Sequence, residues 1–121
     1  MLEEADADAA VVSVGGSILT YGKKPDGKPW KIGIANPRNE DGESYLGSLT
    51  IDGTCSISTS GDYEKYVIED GVRYHHILDP KTGFPADSGL ISVTIVCEKG
   101  WLSDVCLLHA LCLAMKTACR F

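Results

Sequence analysis

The sequence predicts an α+β fold in which an antiparallel, meander-like sheet packs against a buried C-terminal helix. The sheet is indicated by three Asp-Gly pairs that lie between segments of alternating apolar and polar residues, because Asp-Gly favours the tight turns of β-hairpins. The helix is indicated by a long apolar run at 105–115. With 121 residues, 44% of them hydrophobic, the chain is long enough for one domain with a single core.

The N-terminal part of the sequence predicts one interrupted strand. Residues 2–10 favour helix but are too short for a whole amphipathic helix, so we expect the tail of an element whose beginning lies outside the chain. Residues 11–22 then alternate as a strand does, and Gly15-Gly16 interrupts them. Paired glycines inside a strand mark either a bulge or a place where another group approaches the backbone closely.

Three hairpins are predicted, each around one Asp-Gly turn. The alternating segments on either side of each turn supply the two strands. The predicted pairs are 11–22 with 30–35 around Asp26-Gly27, 44–51 with 54–60 around Asp52-Gly53, and 63–69 with 72–78 around Asp70-Gly71, and one more strand follows at 89–97.

A helix is predicted over residues 101–118. Ser103 or Asp104 is suited to cap its N-terminus. Apolar residues occupy nearly every face from 105 to 115, so we expect the helix to be largely buried between layers.

The composition excludes some classes of partner. A net charge of -6 and a pI near 4.9 disfavour nucleic acid and anionic membranes, so a phosphate-bearing ligand would need a metal or local donors. The five cysteines show no CxxC spacing and are expected to be reduced thiols rather than a disulfide framework or a zinc site. We expect neither a signal peptide nor a membrane span. Open sheet edges would allow self-association.

The stretch YHHILDPKTGFP, residues 74–85, combines two adjacent histidines with a turn. Successive strand residues point to opposite faces, so at most one of His75 and His76 can serve a given pocket, and a lone strand histidine is more often structural. The Asp79 carboxylate can cap the turn amides that follow it. Residues 81–83 (Lys-Thr-Gly) would then present a cation, a hydroxyl and backbone amides to a phosphate, or form a plain turn.

Two other places have both a structural and a functional interpretation. Thr59, Ser60 and Gly61 end a strand ahead of Asp62, where either an anion-binding nest or an Asx-type turn is expected. Asp104 is either a helix cap or a ligand for a hard cation such as Mg²⁺. A second ligand one helical turn later would lie at position 108, which is a leucine.

Five motifs together resemble one known family. In order and spacing, the chain is similar to the FAD:protein FMN transferases, the ApbE-like flavin transferases, from about residue 5 to about residue 105. The motifs are VSVGGSI, PWKIGIANPR, STSGDYEKY, YHHILDPKTGFPA and WLSD. The resemblance implies a T-fold-like α+β fold, of which residues 1–121 would be the C-terminal portion of a single domain.

The resemblance also implies an activity and a set of site residues. The implied reaction is Mg²⁺-dependent: FAD is cleaved at its pyrophosphate, FMN is transferred to a threonine of an acceptor flavoprotein, and AMP is released. His76 would be the proton acceptor, and Asp104 would bind the metal. The residues implied to bind FAD are Ser60, Gly61, His76, Asp79, Thr82 and Gly83.

The sequence departs from the family pattern in two ways. Leu108 stands where the family has a metal-binding threonine, and a one-residue shift of the helix register does not place a threonine there. The family's glycine-rich DxGGxAKG segment would precede residue 1. These departures keep two alternatives open, a non-catalytic flavin-binding module and a Mg²⁺-dependent FAD pyrophosphatase. Family members are often exported and lipid-anchored, and the compartment of this chain stays open.

Overall fold

The computed structural model of the protein describes residues 4, 6–39 and 44–113. This part of the chain forms eight strands and a helix. They are β1 Ala9–Val14, β2 Ser17–Gly22, β3 Trp30–Ala35, β4 Tyr45–Ile51, β5 Cys55–Gly61, β6 Tyr66–Glu69, β7 Val72–His75, β8 Ser92–Cys97 and α1 Gly100–Leu113.

The central sheet has four antiparallel strands in the order β1-β2-β5-β8. Because these strands follow one another in chain order, the sheet is a meander with two inserted hairpins. One hairpin, β3–β4, lies between β2 and β5 in the chain, and the other, β6–β7, lies between β5 and β8. The predicted fold class, an antiparallel meander-like sheet with a C-terminal helix, is confirmed.

Two of the three predicted hairpins are wrong. β3 pairs with β4 rather than with β2, and β5 pairs with β2 and β8 rather than with β4. A type I′ turn needs a positive φ at both central residues. At the turns 26–27 and 52–53 the glycines have φ of 70° and 95°, but neither aspartate is among the residues with a positive φ. These turns therefore lead from one sheet to another.

The third predicted hairpin is confirmed. Asp70 and Gly71 have φ of 49° and 77°, as a type I′ turn requires. β6 and β7 pair around this turn in register, from Glu69 opposite Val72 to Tyr66 opposite His75.

The predicted strand at 11–22 is in fact a hairpin. Gly15 and Gly16 form its turn, with Val14 opposite Ser17. Gly15 has a φ of 57°, which only glycine adopts at little cost, whereas Gly16 lies outside the left-handed region. Residues 9 and 10, which were expected in a helical tail, begin β1, while residues 1–3 and 5 lie outside the described part.

The core lies between α1 and the sheet. Ile77, Leu107 and Leu111 are buried there, against partly buried Val93 and Ile95 of β8. Alternate residues of a strand share a face, so β8 offers these two side chains to the helix together. Packing of the helix on the sheet is thus confirmed.

Burial of the helix on nearly every face, however, is not what the structure has. The side of α1 away from the core is exposed at Trp101 (66%), Val105 (59%) and Leu108 (52%).

The predicted cap is also wrong. The helix begins at Gly100, and Ser103 Oγ donates a hydrogen bond back to Gly100 O at 2.7 Å from within the first turn. Residues 114–118 of the predicted helix lie outside the described part.

Four cysteines are free thiols in the part of the chain that the structure describes: Cys55, Cys97, Cys106 and Cys112. Cys119 lies outside it. Burial raises the pKa of Cys55 above its ordinary value, which lowers the thiolate fraction at neutral pH. Within the described residues, no helix is long and apolar enough to cross a membrane.

Candidate functional site

A cleft of about 290 Å³ lies where the β1–β2 turn, the end of β5, the base of the β6–β7 hairpin and the first turns of α1 meet. Three of the predicted site residues, Ser60, His76 and Asp104, line this cleft although they are far apart in the sequence. The other lining residues are Gly15, Gly16, Ser17, Ser58, Thr59, Glu64, Lys65 and Leu107.

Gly16 is fixed by the close approach of β5. Thr59 N donates to Gly16 O at 2.8 Å, which extends the β2–β5 ladder into the turn. A Cβ on Gly16 would lie deep inside van der Waals contact with Thr59 O and 3.3 Å from the Thr59 carbonyl carbon. Of the two sequence interpretations of the glycine pair, close approach of another backbone therefore holds for Gly16, and a bulge does not.

His76 follows the last residue of β7 and is exposed on the cleft. Its backbone N lies 3.1 Å from Lys65 O, and its Nδ1 lies 3.2 Å from the same oxygen. A carbonyl oxygen can only accept a hydrogen bond, so the neutral imidazole carries its proton on Nδ1. Nε2 is then left with its lone pair, as a proton acceptor needs.

Asp104 is exposed on the second turn of α1 and faces the β1–β2 turn. Ser17 Oγ donates to Asp104 Oδ1 at 3.3 Å. Leu108, one helical turn later, is 52% exposed and offers no oxygen. Among the described residues, no group of three or more His, Cys, Asp or Glu side chains comes together as a metal cluster.

The loop around Asp79, Thr82 and Gly83 lies outside the lining of this cleft, and its polar groups close a turn. Asp79 Oδ1 accepts from Lys81 N at 2.9 Å, and Asp79 O accepts from Gly83 N at 2.8 Å. Thr82 Oγ1 accepts from Phe84 N at 3.3 Å. The carboxylate thus caps the turn amides as the sequence indicated, and the role of these residues toward FAD stays a prediction.

Gly61 is buried and also lies outside the cleft lining. A Cβ on Gly61 would strike the ring of Tyr63 and lie 2.8 Å from Ile91 O. The chain at the end of β5 is therefore held between an aromatic ring and the approach to β8. Whether Gly61 contacts a flavin nucleotide stays a prediction.

An ion pair not predicted from the sequence ties the end of β5 to the segment after β3. Arg38 donates to both carboxylate oxygens of Asp62, at 2.8 and 2.7 Å, and Arg73 Nη1 lies 3.7 Å from Asp62 Oδ1. Hydrogen bonding from the Arg38 guanidinium holds the pKa of Asp62 below its ordinary value. The Asp62 carboxylate is therefore held in an ion pair, and the anion nest or Asx-type turn expected at residues 59–62 stays a prediction.

His75 and His76 serve different clefts, as strand alternation predicts. His75 lines a second cleft of about 480 Å³, which is bordered by Asp62, Arg73 and Phe84. His75 Nδ1 is buried and has no hydrogen-bond partner among the described residues. Neither Ser60 nor Asp104 belongs to this second cleft.

Several residues of the first cleft were not singled out from the sequence. Ser17, Ser58, Glu64 and Lys65 lie inside the motifs VSVGGSI and STSGDYEKY, but their residue types and spacing do not assign them to a site. Gly16 did carry a signal, because paired glycines indicate close backbone approach.

Comparison with known proteins then decides the family, since the model of the ApbE family matches residues 1–121. The chain belongs to the ApbE family. The ApbE-family FAD:protein FMN transferase of Klebsiella pneumoniae (strain 342) is 39% identical over 104 residues, which cover 86% of this chain and 30% of that protein. The one of Treponema pallidum (strain Nichols) is 37% identical over 120 residues, covering 93% and 30%.

Solved ApbE structures agree with the fold. The crystal structure of the ApbE protein from Thermotoga maritima superposes with a TM-score of 0.79 at 40% identity, covering 89% of this chain and 33% of that one. The flavin transferase ApbE from Vibrio cholerae superposes with a TM-score of 0.67 at 36% identity, covering 88% and 33%. The chain therefore spans about 30% of the length of the ApbE relatives it matches.

Proposed function

We propose that the protein to which this chain belongs transfers FMN from FAD to a threonine hydroxyl of an acceptor flavoprotein, with Mg²⁺ and with release of AMP. The chain would be the C-terminal portion of that transferase domain. Support comes from family membership and from the relatives' name, FAD:protein FMN transferase. The observation that carries the proposal is the meeting of Ser60, His76 and Asp104 in one cleft.

The cleft has the size and lining for the pyrophosphate part of FAD. Its volume of about 290 Å³ is at the lower end of the range for small-molecule pockets, too small for the whole dinucleotide. Lys65 lines the cleft and would supply a positive charge beside the carboxylates of Glu64 and Asp104. The Ser60 hydroxyl would be available to donate, whereas the protons of Ser17 and Ser58 are engaged with Asp104 and Ser103. In an acidic chain, Lys65 and Ser60 are the local donors that a phosphate-bearing ligand needs.

The described residues fit a Mg²⁺ ion for which water and substrate supply most of the ligands. Mg²⁺ prefers oxygen ligands and is often held by one or two carboxylates together with substrate phosphates. Two exposed carboxylates line the cleft, Asp104 and Glu64, and the proposal assigns the ion to Asp104. When bound, Mg²⁺ would neutralise charge on the pyrophosphate.

The proposed transfer moves one phosphoryl group and one proton. The acceptor hydroxyl oxygen forms a bond to the phosphorus of the FMN half of FAD, and the bond from that phosphorus to the bridging oxygen breaks. AMP leaves with the bridging oxygen. The hydroxyl proton passes to Nε2 of His76, whose lone pair is free because Nδ1 donates to Lys65 O.

In this proposal Ser60 contacts the nucleotide within the cleft, while Gly61, Asp79, Thr82 and Gly83 shape the backbone around it. Gly61 lets the end of β5 pass under Tyr63. The loop closed by Asp79 is tied at its base by an isolated bridge between Leu78 and Pro85, which begins two residues after His76.

The test is a transfer assay with the full-length protein, FAD and an acceptor flavoprotein, with AMP measured by chromatography and flavin on the acceptor by in-gel fluorescence. Asp104→Asn is expected to abolish the stimulation by Mg²⁺, and His76→Gln to lower transfer at saturating Mg²⁺. His109→Gln, on an exposed helix position outside the cleft lining, is the matched control. Equal transfer by all three variants would contradict the proposal.

Leu108 favours a second candidate, a flavin-binding module without transfer activity, because the described helix lacks a second metal ligand one turn after Asp104. Metal-independent FAD binding without AMP release would support this candidate. AMP and free FMN formed without an acceptor would instead indicate a FAD pyrophosphatase, in which water replaces the hydroxyl.

A further inference from the structure

Three serines link Asp104 to the interior through a continuous chain of hydrogen bonds. Ser17 Oγ lies 3.3 Å from Asp104 Oδ1 and 3.2 Å from Ser58 Oγ. Ser58 Oγ lies 2.8 Å from Ser103 Oγ, which donates to Gly100 O at 2.7 Å. Ser58 and Ser103 are 3% and 0% exposed, so this end of the hydrogen-bond chain is closed to water.

This hydrogen-bond chain has one fewer hydroxyl proton than it has contacts. Four contacts join three hydroxyls to two end groups, Gly100 O and the Asp104 carboxylate, and each hydroxyl has one proton. The ionised carboxylate and the carbonyl can only accept. One contact must therefore lack a proton at any moment.

The distances show where the proton is missing. Ser103 donates to Gly100 O in the part-buried 2.7 Å contact, so its single proton is used there. Ser58 must then donate to Ser103 in the buried 2.8 Å contact, where an unmade hydrogen bond would be costly. The single proton of Ser17 then faces two long contacts, to Ser58 and to Asp104, and the carboxylate is the stronger acceptor. The contact between Ser17 and Ser58 is therefore the one that lacks a proton.

We propose that Ser17 is a positioning residue for Asp104 and a determinant of divalent-cation affinity. This rests on the metal-binding role of Asp104 in the proposed function. The Ser17 hydroxyl donates to Oδ1 both before and after a cation binds the carboxylate, so the ligand is already oriented when the cation arrives. The buried serines thus anchor a hydroxyl that orients the exposed ligand.

The test is Mn²⁺ binding to the full-length protein in the presence of ADP, a pyrophosphate probe without flavin, followed by the electron paramagnetic resonance signal of free Mn²⁺. Ser17→Ala is expected to raise the Mn²⁺ Kd about tenfold, the lower end of the loss seen when a partner of a metal ligand is removed. Ser17→Thr keeps the hydroxyl and should stay within about threefold of wild type, about half of that effect in free energy. Ser13→Ala, at an exposed serine of β1, is the control and should bind as wild type does.

Thermal unfolding of each variant separates positioning from folding. A tenfold weaker Ser17→Ala with an unchanged melting temperature, rescued by Ser17→Thr, supports the proposal. Wild-type affinity in Ser17→Ala, or equal weakening in Ser17→Thr, overturns it. Lack of Mn²⁺ binding by the wild type, or retention of binding in Asp104→Asn, also overturns it. Mn²⁺ binding that depends on Asp104 and Ser17, without FMN transfer, would support the positioning role and contradict the proposed transferase activity.

Discussion

Replacing Gly16 by alanine should destabilise the protein by forcing β5 away from the β1–β2 turn. The new Cβ would overlap Thr59 O, so one backbone must move by roughly 1 Å to restore ordinary contact. Such overpacking costs about 1–3 kcal/mol. The shift would also break the 2.8 Å hydrogen bond from Thr59 N to Gly16 O, which adds about 1 kcal/mol. We expect the free energy of unfolding to fall by about 2–4 kcal/mol.

Urea unfolding followed by circular dichroism measures this change. With a urea dependence of about 2 kcal/mol per molar, the midpoint should fall by about 1–2 M. Gly47→Ala is the matched control, because Gly47 lies on β4 with nothing within 4 Å of a built Cβ and without a positive φ. That variant should unfold within about 0.5 kcal/mol of wild type.

The outcome that would refute the reasoning is a Gly16→Ala protein as stable as Gly47→Ala. The two backbones would then be free to separate at no cost, and the approach of Thr59 would not be what requires glycine at this position. Gly15→Ala gives a further comparison. That position has open space but a φ of 57°, so only backbone strain of about 1 kcal/mol is expected there.

Three other predictions follow from the site and the core. Asp62→Asn should lower the free energy of unfolding by about 2 kcal/mol at pH 7. Because the folded-state pKa of Asp62 is lowered, this stability is present above about pH 4 and is lost as the pH falls further. The urea unfolding curves of wild type and variant should therefore converge below about pH 4. His76→Gln should lower transfer at saturating FAD by about 10²–10⁴-fold in single-turnover kinetics, and titration would report the accompanying change in FAD affinity. Leu107→Ala, in the core at 3% exposure, should cost about 2–5 kcal/mol in the same urea assay, and a loss below 1 kcal/mol would contradict the assigned core.

Local pattern was sufficient to predict the fold class and one hairpin, but not the pairing of most strands. The turn at Asp70-Gly71 closes a hairpin because both residues take a positive φ, whereas only the glycine does so at 26–27 and 52–53. The sequence Asp-Gly does not show whether the aspartate takes a positive φ, so it does not distinguish a hairpin turn from a turn between sheets. The register of β2 on β5, with Ser17 opposite Ser58, is a long-range contact that no local signal encodes.

The candidate site was predictable in part, for a similar reason. His76 and Asp104 have side chains that carry chemistry, so sequence motifs mark them. Ser17 and Ser58 matter through contacts with residues 87 and 45 positions further along the chain, and only the folded sheet brings them together. The exposed face of α1 at Trp101 and Val105 was missed because an apolar sequence does not say which neighbours are present to cover it.

The cleft is built from parts of unequal rigidity. Asp104 and Ser60 lie on the helix and the central sheet, but His76 lies at the base of the β6–β7 hairpin, in which every residue except His75 is exposed. A two-stranded hairpin is marginally stable by itself, so this arm can open without unfolding of the sheet. Each opening would carry His76, the proposed proton acceptor, away while Asp104 stays in place. Amide exchange at His76 would therefore measure the fraction of time for which the proposed site is assembled.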